Sequence, residues 1–265
     1  MIGVIQGRLT QSGKKLQCFP KDPFKEFNIA SKIQYDFIEF FAERYINKNN
    51  PIWSNEGIKK YIEFANLNNI KIYTFVDDYF INHSLVEKKT LIYALRILKR
   101  INLLKIKKYI VPLYGKSFLN SKNEKKIVKN LSVIAKVCNN YKVQLLLESN
   151  MSPQKFETIK KIIRCNNFFF LFDTGNRVVL KRDFFSDLQL FGRNIRHIHL
   201  KDKNNFKKNV IIGKGMVNFD LFFSYLKKIK YKGSFSIESQ RGSNIFKQAK
   251  KNYNFFNNLI KKYKI

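Results

Sequence analysis

Short apolar runs alternate along the chain with longer stretches in which apolar residues recur at helical spacing. Eight runs of about five to seven residues, rich in β-branched and aromatic side chains, predict strands at 2–6, 36–40, 71–76, 108–113, 142–148, 168–173, 195–200 and 234–238. Between them Ile58, Tyr61, Ile62 and Ala65 recur at i, i+3, i+4, i+7, and Ile127, Leu131, Ile134 and Cys138 share another stripe. Asn218 before Phe219, Phe222, Phe223 and Leu226 reads as an N-cap opening a helix, and a last helix covers about 245–263. Eight strands and eight helices in strict alternation, about 33 residues per unit, predict an α/β fold: a single (β/α)8 TIM barrel, one domain over residues 1–265. A doubly wound sheet usually needs fewer strands, and no GxGxxG follows the first strand.

Composition narrows the function classes. Lys and Arg number 51 against 19 Asp and Glu, a net charge of +32. That invites a nucleic-acid partner. Yet 41 of the 51 are Lys, whereas base and phosphate readers lean on the bidentate fork of Arg. Cys18, Cys138 and Cys165 form no CxxC pair, which argues against a disulfide framework or a cysteine zinc site. The longest apolar run, 168–172, is far short of the roughly 20 residues that span a bilayer. The start, MIGVIQGRLT, has no basic and apolar leader pattern, so the expected compartment is the cytoplasm.

The scarce acids carry the chemistry. Seven of the 19 sit at or just after a predicted strand end: Glu39, Asp77, Asp78, Glu148, Asp173, Asp202 and Glu238. In a barrel those ends open on one face, where active sites are built. Carboxylates converging there repel one another unless a cation neutralises them or some hold protons. For Glu39, Asp77 and Asp78 the bland reading, an acid that is solvated or caps the next helix, stands beside a place in the site. Glu148, Asp173 and Glu238 end strongly apolar strands, where a lone carboxylate is costly.

Of three histidines, His197 and His199 stand two apart on one strand and point to the same side; His83 lies in a polar loop. At least one of the pair is expected to be a ligand. Three carboxylates with an imidazole suit a divalent ion, Mn²⁺ or Mg²⁺ ahead of Co²⁺ or Zn²⁺. Such an ion polarises a substrate carbonyl, and flanking carboxylates move protons. Gln6 and Arg8 follow the first strand and Arg241 the last, so they are expected to face each other across the barrel mouth. There they bind a substrate anion or simply pair with surface acids. Lys201 senses a substrate oxygen or balances the nearby acids. Gly213 and Gly215 shape the turn before Asn218.

A series of motifs runs in order along the chain. It comprises Gly3-Val4-Ile5-Gln6-Gly7-Arg8-Leu9-Thr10, Ile38-Glu39-Phe40, Leu147-Glu148-Ser149, Phe172-Asp173-Thr174-Gly175-Asn176, His197-Ile198-His199-Leu200-Lys201-Asp202, Gly213-Lys214-Gly215-Met216-Val217-Asn218-Phe219 and Ser236-Ile237-Glu238. In order and spacing the series resembles the sugar phosphate isomerase/epimerase family, the xylose isomerase-like TIM barrels, over essentially the whole chain. The resemblance implies one divalent metal ion held by Glu148, Asp173, His199 and Glu238. Glu148 and Glu238, placed on opposite strands, would double as the acid/base pair of a proton transfer through a metal-bound enediolate. Ketose epimerases of the family carry a substrate-contacting His three residues after the metal-binding Asp. Asn176 stands there in this chain, which points to a different substrate. With His197 below His199, the expected substrate contacts are Gln6, Arg8, Asn176, His197, Lys201 and Arg241.

The expected function is therefore a metal-dependent sugar or sugar phosphate isomerase or epimerase. Dehydration of a cyclic polyol is a close variant that begins with the same proton abstraction. A non-catalytic sugar-binding barrel and an apurinic-site endonuclease are the alternatives. The endonucleases hold a three-metal cluster that needs more than three histidines. The expected partner is a small-molecule sugar or sugar phosphate, without nucleic acid or membrane. The 26 Phe and 13 Tyr fill the core or an interface, so a homo-oligomer is open.

Overall fold

The computed structural model describes residues 1–10 and 18–265. In chain order its elements are β1 (Ile2–Ile5), α1 (Lys25–Ile33), β2 (Phe37–Ala42), α2 (Asn55–Leu67), β3 (Lys71–Asp77), α3 (Tyr79–Asn82), α4 (Lys88–Leu103), β4 (Lys108–Pro112), α5 (Glu124–Asn140), β5 (Gln144–Glu148), α6 (Pro153–Ile163), β6 (Phe168–Asp173), α7 (Thr174–Val178), α8 (Phe184–Phe191), β7 (Ile195–Leu200), β8 (Asp202–Lys203), β9 (Asn209–Val210), α9 (Phe219–Lys228), β10 (Ser234–Ile237) and α10 (Ile245–Tyr263). Eight strands close into a parallel barrel in the order β1-β10-β7-β6-β5-β4-β3-β2, with helices between them. The fold is the (β/α)8 TIM barrel that the alternation predicts.

Each of the eight expected runs forms a barrel strand. The strict alternation does not hold, because short helices α3 and α7 follow β3 and β6 directly, and an antiparallel β8–β9 hairpin follows β7. Among the described residues no helix is long and apolar enough to cross a membrane.

The chain divides into two compact units. The first comprises Met1–Ile38, Asn68–Ile70 and Phe170–Ile265. Its strands pair so that Asp173 lies beside His199, and His199 beside Ser236. Its core is a phenylalanine cluster, including stacked Phe170 and Phe191 rings 3.9 Å apart and Phe223 stacked on Phe235 at 5.5 Å. Each such ring buried contributes about 1.5–3 kcal/mol. The expected Asn218 cap is present: its side chain accepts from the Leu221 amide at 3.0 Å, and Phe219, Phe222, Phe223 and Leu226 are buried.

The second unit comprises Glu39–Leu67 and Lys71–Phe169, with β3, β4 and β5 paired in parallel. α5 buries Ile127, Leu131, Ile134 and Cys138, as its stripe predicts. α2 buries Ile58, Tyr61 and Ala65, but Ile62 is 39% exposed. One residue past Tyr61 is about 100° round the helix, beyond the buried arc.

Candidate active site

Three adjacent strands of the first unit deliver three of the expected side chains. Asp173 ends β6, His199 is the fifth residue of β7, and Glu238 directly follows β10 with its amide bonded to the Leu200 carbonyl at 3.0 Å. His199 Nδ1 lies 3.4 Å from Glu238 Oε2. Lys201 bridges the two acids, its Nζ 3.0 Å from Asp173 Oδ2 and 2.7 Å from Glu238 Oε1. Arg8 Nη2 stands 3.9 Å from Glu238 Oε1. All five residues are buried. Burial pushes the Glu238 carboxyl up, but Lys201, His199 and Arg8 outweigh it and hold the group well below the usual carboxylate range. Glu238 is therefore an anion at neutral pH.

Asp173 is fixed at both oxygens. It caps α7 by accepting from the Asn176 amide at 2.7 Å, while its Oδ2 accepts from the Asn176 side chain at 2.9 Å and from Lys201. The Asn176 carbonyl oxygen in turn accepts from Lys203 at 2.8 Å, which ties β8 to the Asp173 turn. The glycine of the Asp-Thr-Gly-Asn run has a local cause. A Cβ at Gly175 would lie 2.8 Å from Lys201 Cγ, so only glycine lets the lysine stem pass toward Asp173.

Other expected contacts have different settings. His197 Nδ1 is 2.7 Å from Ser234 Oγ and its Nε2 is 3.0 Å from Ser236 Oγ, in a fully buried layer beneath His199. Gln6 is buried at the end of β1. Arg241 donates to the Gly7 carbonyl at 2.7 Å. β1 and β10 are neighbouring strands, so Gln6, Arg8 and Arg241 sit side by side and do not face one another across the mouth. Arg8 pairs with a site carboxylate. Lys201 pairs with both acids, as its charge-balancing reading expects.

The remaining strand-end acids are buried, and the solvated reading of them is corrected. Glu39 is the third residue of β2 and accepts from the Thr74 hydroxyl at 2.6 Å. Asp77 accepts from the phenols of Tyr109 at 2.6 Å and Tyr93 at 3.2 Å, and burial raises it to about 7. Asp78 is buried too. Asp202 accepts from the amides of Gly213, Gly215 and Val217 and so shapes the turn before Asn218. A Cβ at Gly215 would come within 2.2 Å of that carboxylate. Glu148 ends β5 and is buried.

Glu26 and Lys203 were not singled out from sequence. Glu26 accepts from the amides of Gly7, Leu9 and Thr10 and from the Thr10 hydroxyl, and so holds the loop that carries Arg8. Its signal was an acid sharing the helical face of Ala30 and Ile33. Lys203 had no signal among 41 lysines.

Buried Glu, Asp and His side chains are placed for a metal ion. The first unit supplies Asp173 and His199 to one such group, and His197 and His199 to another. The first fits a divalent ion in donor chemistry, with the Asp173 carboxylate, an imidazole and the anionic Glu238 carboxylate beside the histidine. In the second, His197 already has a serine hydroxyl at each ring nitrogen.

The family described as xylose isomerase-like TIM barrel matches residues 27–259. No curated protein matches the sequence significantly. Solved structures share the fold at low identity. A xylose isomerase domain protein from Planctomyces limnophilus is 14% identical with a TM-score of 0.79, covering 99% of this chain and 98% of its own. D-psicose 3-epimerase from Clostridium cellulolyticum H10, solved with D-tagatose, is 17% identical at 0.79, covering 98% and 99%. The IolI protein, solved with a bound zinc atom, is 18% identical at 0.75, covering 99% and 98%.

Proposed function

Because the chain belongs to the xylose isomerase-like TIM barrel family, we propose that it is a divalent-metal-dependent isomerase or epimerase of a small sugar or sugar phosphate, working as one domain over residues 1–265. The observation that carries the reading is the convergence of Asp173, His199 and Glu238, buried and oriented by Lys201 and Asn176. Glu148, Asp173, His199 and Glu238 would hold the ion. The oxygen-rich set favours Mn²⁺ or Mg²⁺, with Zn²⁺ or Co²⁺ admitted. When bound, the ion polarises the substrate carbonyl and acidifies the neighbouring C–H.

The chain's own groups account for the proton movements. Glu238 is ionised, so in the resting site it accepts a proton and does not give one. In the strand order β6 and β7 separate β5 from β10, so Glu148 and Glu238 leave strands three places apart and not diametrically opposed ones. A substrate carbon between two such carboxylates can lose a proton to one and regain it from the other. Lys201 and Arg8 offset the charge of these acids before and during transfer. The endonuclease reading is not favoured, because its three-metal cluster needs more than the three histidines of this chain and Asn176 stands where one of them would.

Metal analysis tests the proposal. Purified protein should bind about one divalent ion per chain, and Asp173→Ala and His199→Ala should each lower that content several-fold. Equal metal content in wild type and both variants would remove the site.

A further inference from the structure

Where the chain enters β7 and β10, the first unit walls a cavity of about 450 Å³ that takes no part in the chemistry above. Arg193, Ile195 and Arg196 line one side, and the stretch from Lys228 in the last turn of α9 to Lys232 lines the other. β7 and β10 pair directly, with His197 beside Ser234, so the two entry segments are neighbours. His199 stands four residues beyond Ile195 on β7, about 13 Å at the usual strand rise. The cavity is thus at the strand starts, and Asp173, His199 and Glu238 are towards the strand ends.

The lining has one sign. Arg193, Arg196, Lys228, Lys230 and Lys232 are five of its nine residues, and none of the nine is an acid. Cations are 51 of 265 residues overall, a far lower share, so the lysine-rich composition does not by itself fill this lining. The negative end of α9 accounts for Lys228, which also lies over the Tyr225 ring at 4.4 Å. It does not account for Arg193, Arg196 or Lys232, which lie outside that helix. Among the described residues Arg193, Lys230 and Lys232 enter no ion pair. The acids on the flanking helices are engaged elsewhere, Asp187 with Arg177 and Arg182, and Asp220 with Lys262.

The wall is also set in advance. The amides of Ile229, Lys230 and Tyr231 donate to the carbonyls of Tyr225, Lys227 and Leu226, each at 3.0 Å. The Tyr231 hydroxyl donates to the Ser234 carbonyl at 2.7 Å. The turn that holds the lysines is therefore closed on itself, which lowers the ordering cost of binding there. Cations held together repel until a counter-charge neutralises them. One phosphate group brings at most about two negative charges, fewer than five cations can offset. Lysines serve phosphate as point charges, and the arginines add bidentate forks. A hollow of this volume has the size of a small-molecule site.

We propose that this cavity binds a small anion carrying two or more phosphate groups, at a site separate from the one that holds Asp173, His199 and Glu238. The inference stands on the cavity alone and does not depend on the isomerase reading.

Titration calorimetry with inorganic tripolyphosphate tests it, at about 0.15 M salt, where exposed charges more than about 8 Å apart are largely screened. One tripolyphosphate should bind per chain, at least 10-fold more tightly than sulfate. Arg193→Gln combined with Lys232→Gln, one exposed side chain from each entry segment, should weaken it 10-fold or more. Lys125→Gln combined with Lys126→Gln removes the same charge from the exposed face of α5 and should change it less than 2-fold. ATP, titrated beside tripolyphosphate, tells a nucleotide from a bare oligophosphate by which of the two binds more tightly, and either order supports the site. The inference is overturned if tripolyphosphate does not bind, or if the Arg193 and Lys232 changes cost no more than the α5 pair. It is equally overturned if single-stranded RNA or anionic lipid vesicles bind more tightly than either phosphate and lose that binding in the Arg193 and Lys232 variant.

Discussion

The Lys201 ammonium stands 2.7 Å from a Glu238 carboxylate oxygen, with both side chains buried. The same nitrogen reaches Asp173, so one lysine offsets two acids that a divalent ion would also neutralise. Removing it leaves buried like charges together, a loss of about 3–5 kcal/mol for a broken buried pair. Lys201→Met should therefore lower the melting temperature of metal-free protein. Added Mn²⁺ should raise it by more in the variant than in wild type. Equal metal-induced shifts by scanning calorimetry would show that lysine and ion do not share these carboxylates.

Asn176 holds both oxygens of Asp173 and is itself held by Lys203. Partners that orient a metal ligand are typically worth about 10–100-fold in metal affinity. Asn176→Ala should weaken Mn²⁺ binding within that range in a competition titration, with the chain still folded by circular dichroism. Undiminished affinity would make Asn176 a spectator of the metal site.

Glu26 satisfies three amides and a hydroxyl in the loop that carries Arg8. Glu26→Ala orphans buried donors, each costing about 1–3 kcal/mol. Urea unfolding should show a loss of at least about 2 kcal/mol. Limited proteolysis should find cleavage near residues 7–10. A variant as stable as wild type would contradict this role.

Asp77 predicts a pH dependence. Burial raises its carboxyl from 3.8 to about 7, although the Tyr109 and Tyr93 hydroxyls draw it down. The folded chain thus keeps a proton there that the unfolded chain releases. This contribution to stability is full below pH 3.8, falls as pH rises, and is gone above about 7. Asp77→Asn should flatten the stability profile between those limits, measured by urea midpoint against pH. An unchanged slope would assign the dependence to other groups.

Much of this was legible in the sequence. The eight strands follow from runs such as Phe168–Asp173 and Ile195–Leu200, where β-branched and aromatic residues cluster. The acids ending apolar strands also stood out, because an unpartnered carboxylate there is too costly to be incidental. Charge sharing was not legible. That Asp77 faces two phenols and Asp202 three loop amides depends on strand register and loop path. Local residue type carries neither. The β8–β9 hairpin escaped because two-residue strands leave no periodicity to read.

The central claim is that Glu148 and Glu238 move a substrate proton. Its most direct measurement is exchange of the substrate's α-hydrogen with solvent in D₂O, followed by NMR over ketoses and their phosphates. Wild-type protein loaded with Mn²⁺ should exchange it. Glu148→Gln and Glu238→Gln should each reduce the rate by at least about 100-fold, the usual worth of a positioned acid or base. Their circular dichroism should stay that of the folded barrel. Exchange at the wild-type rate in both variants would contradict the account.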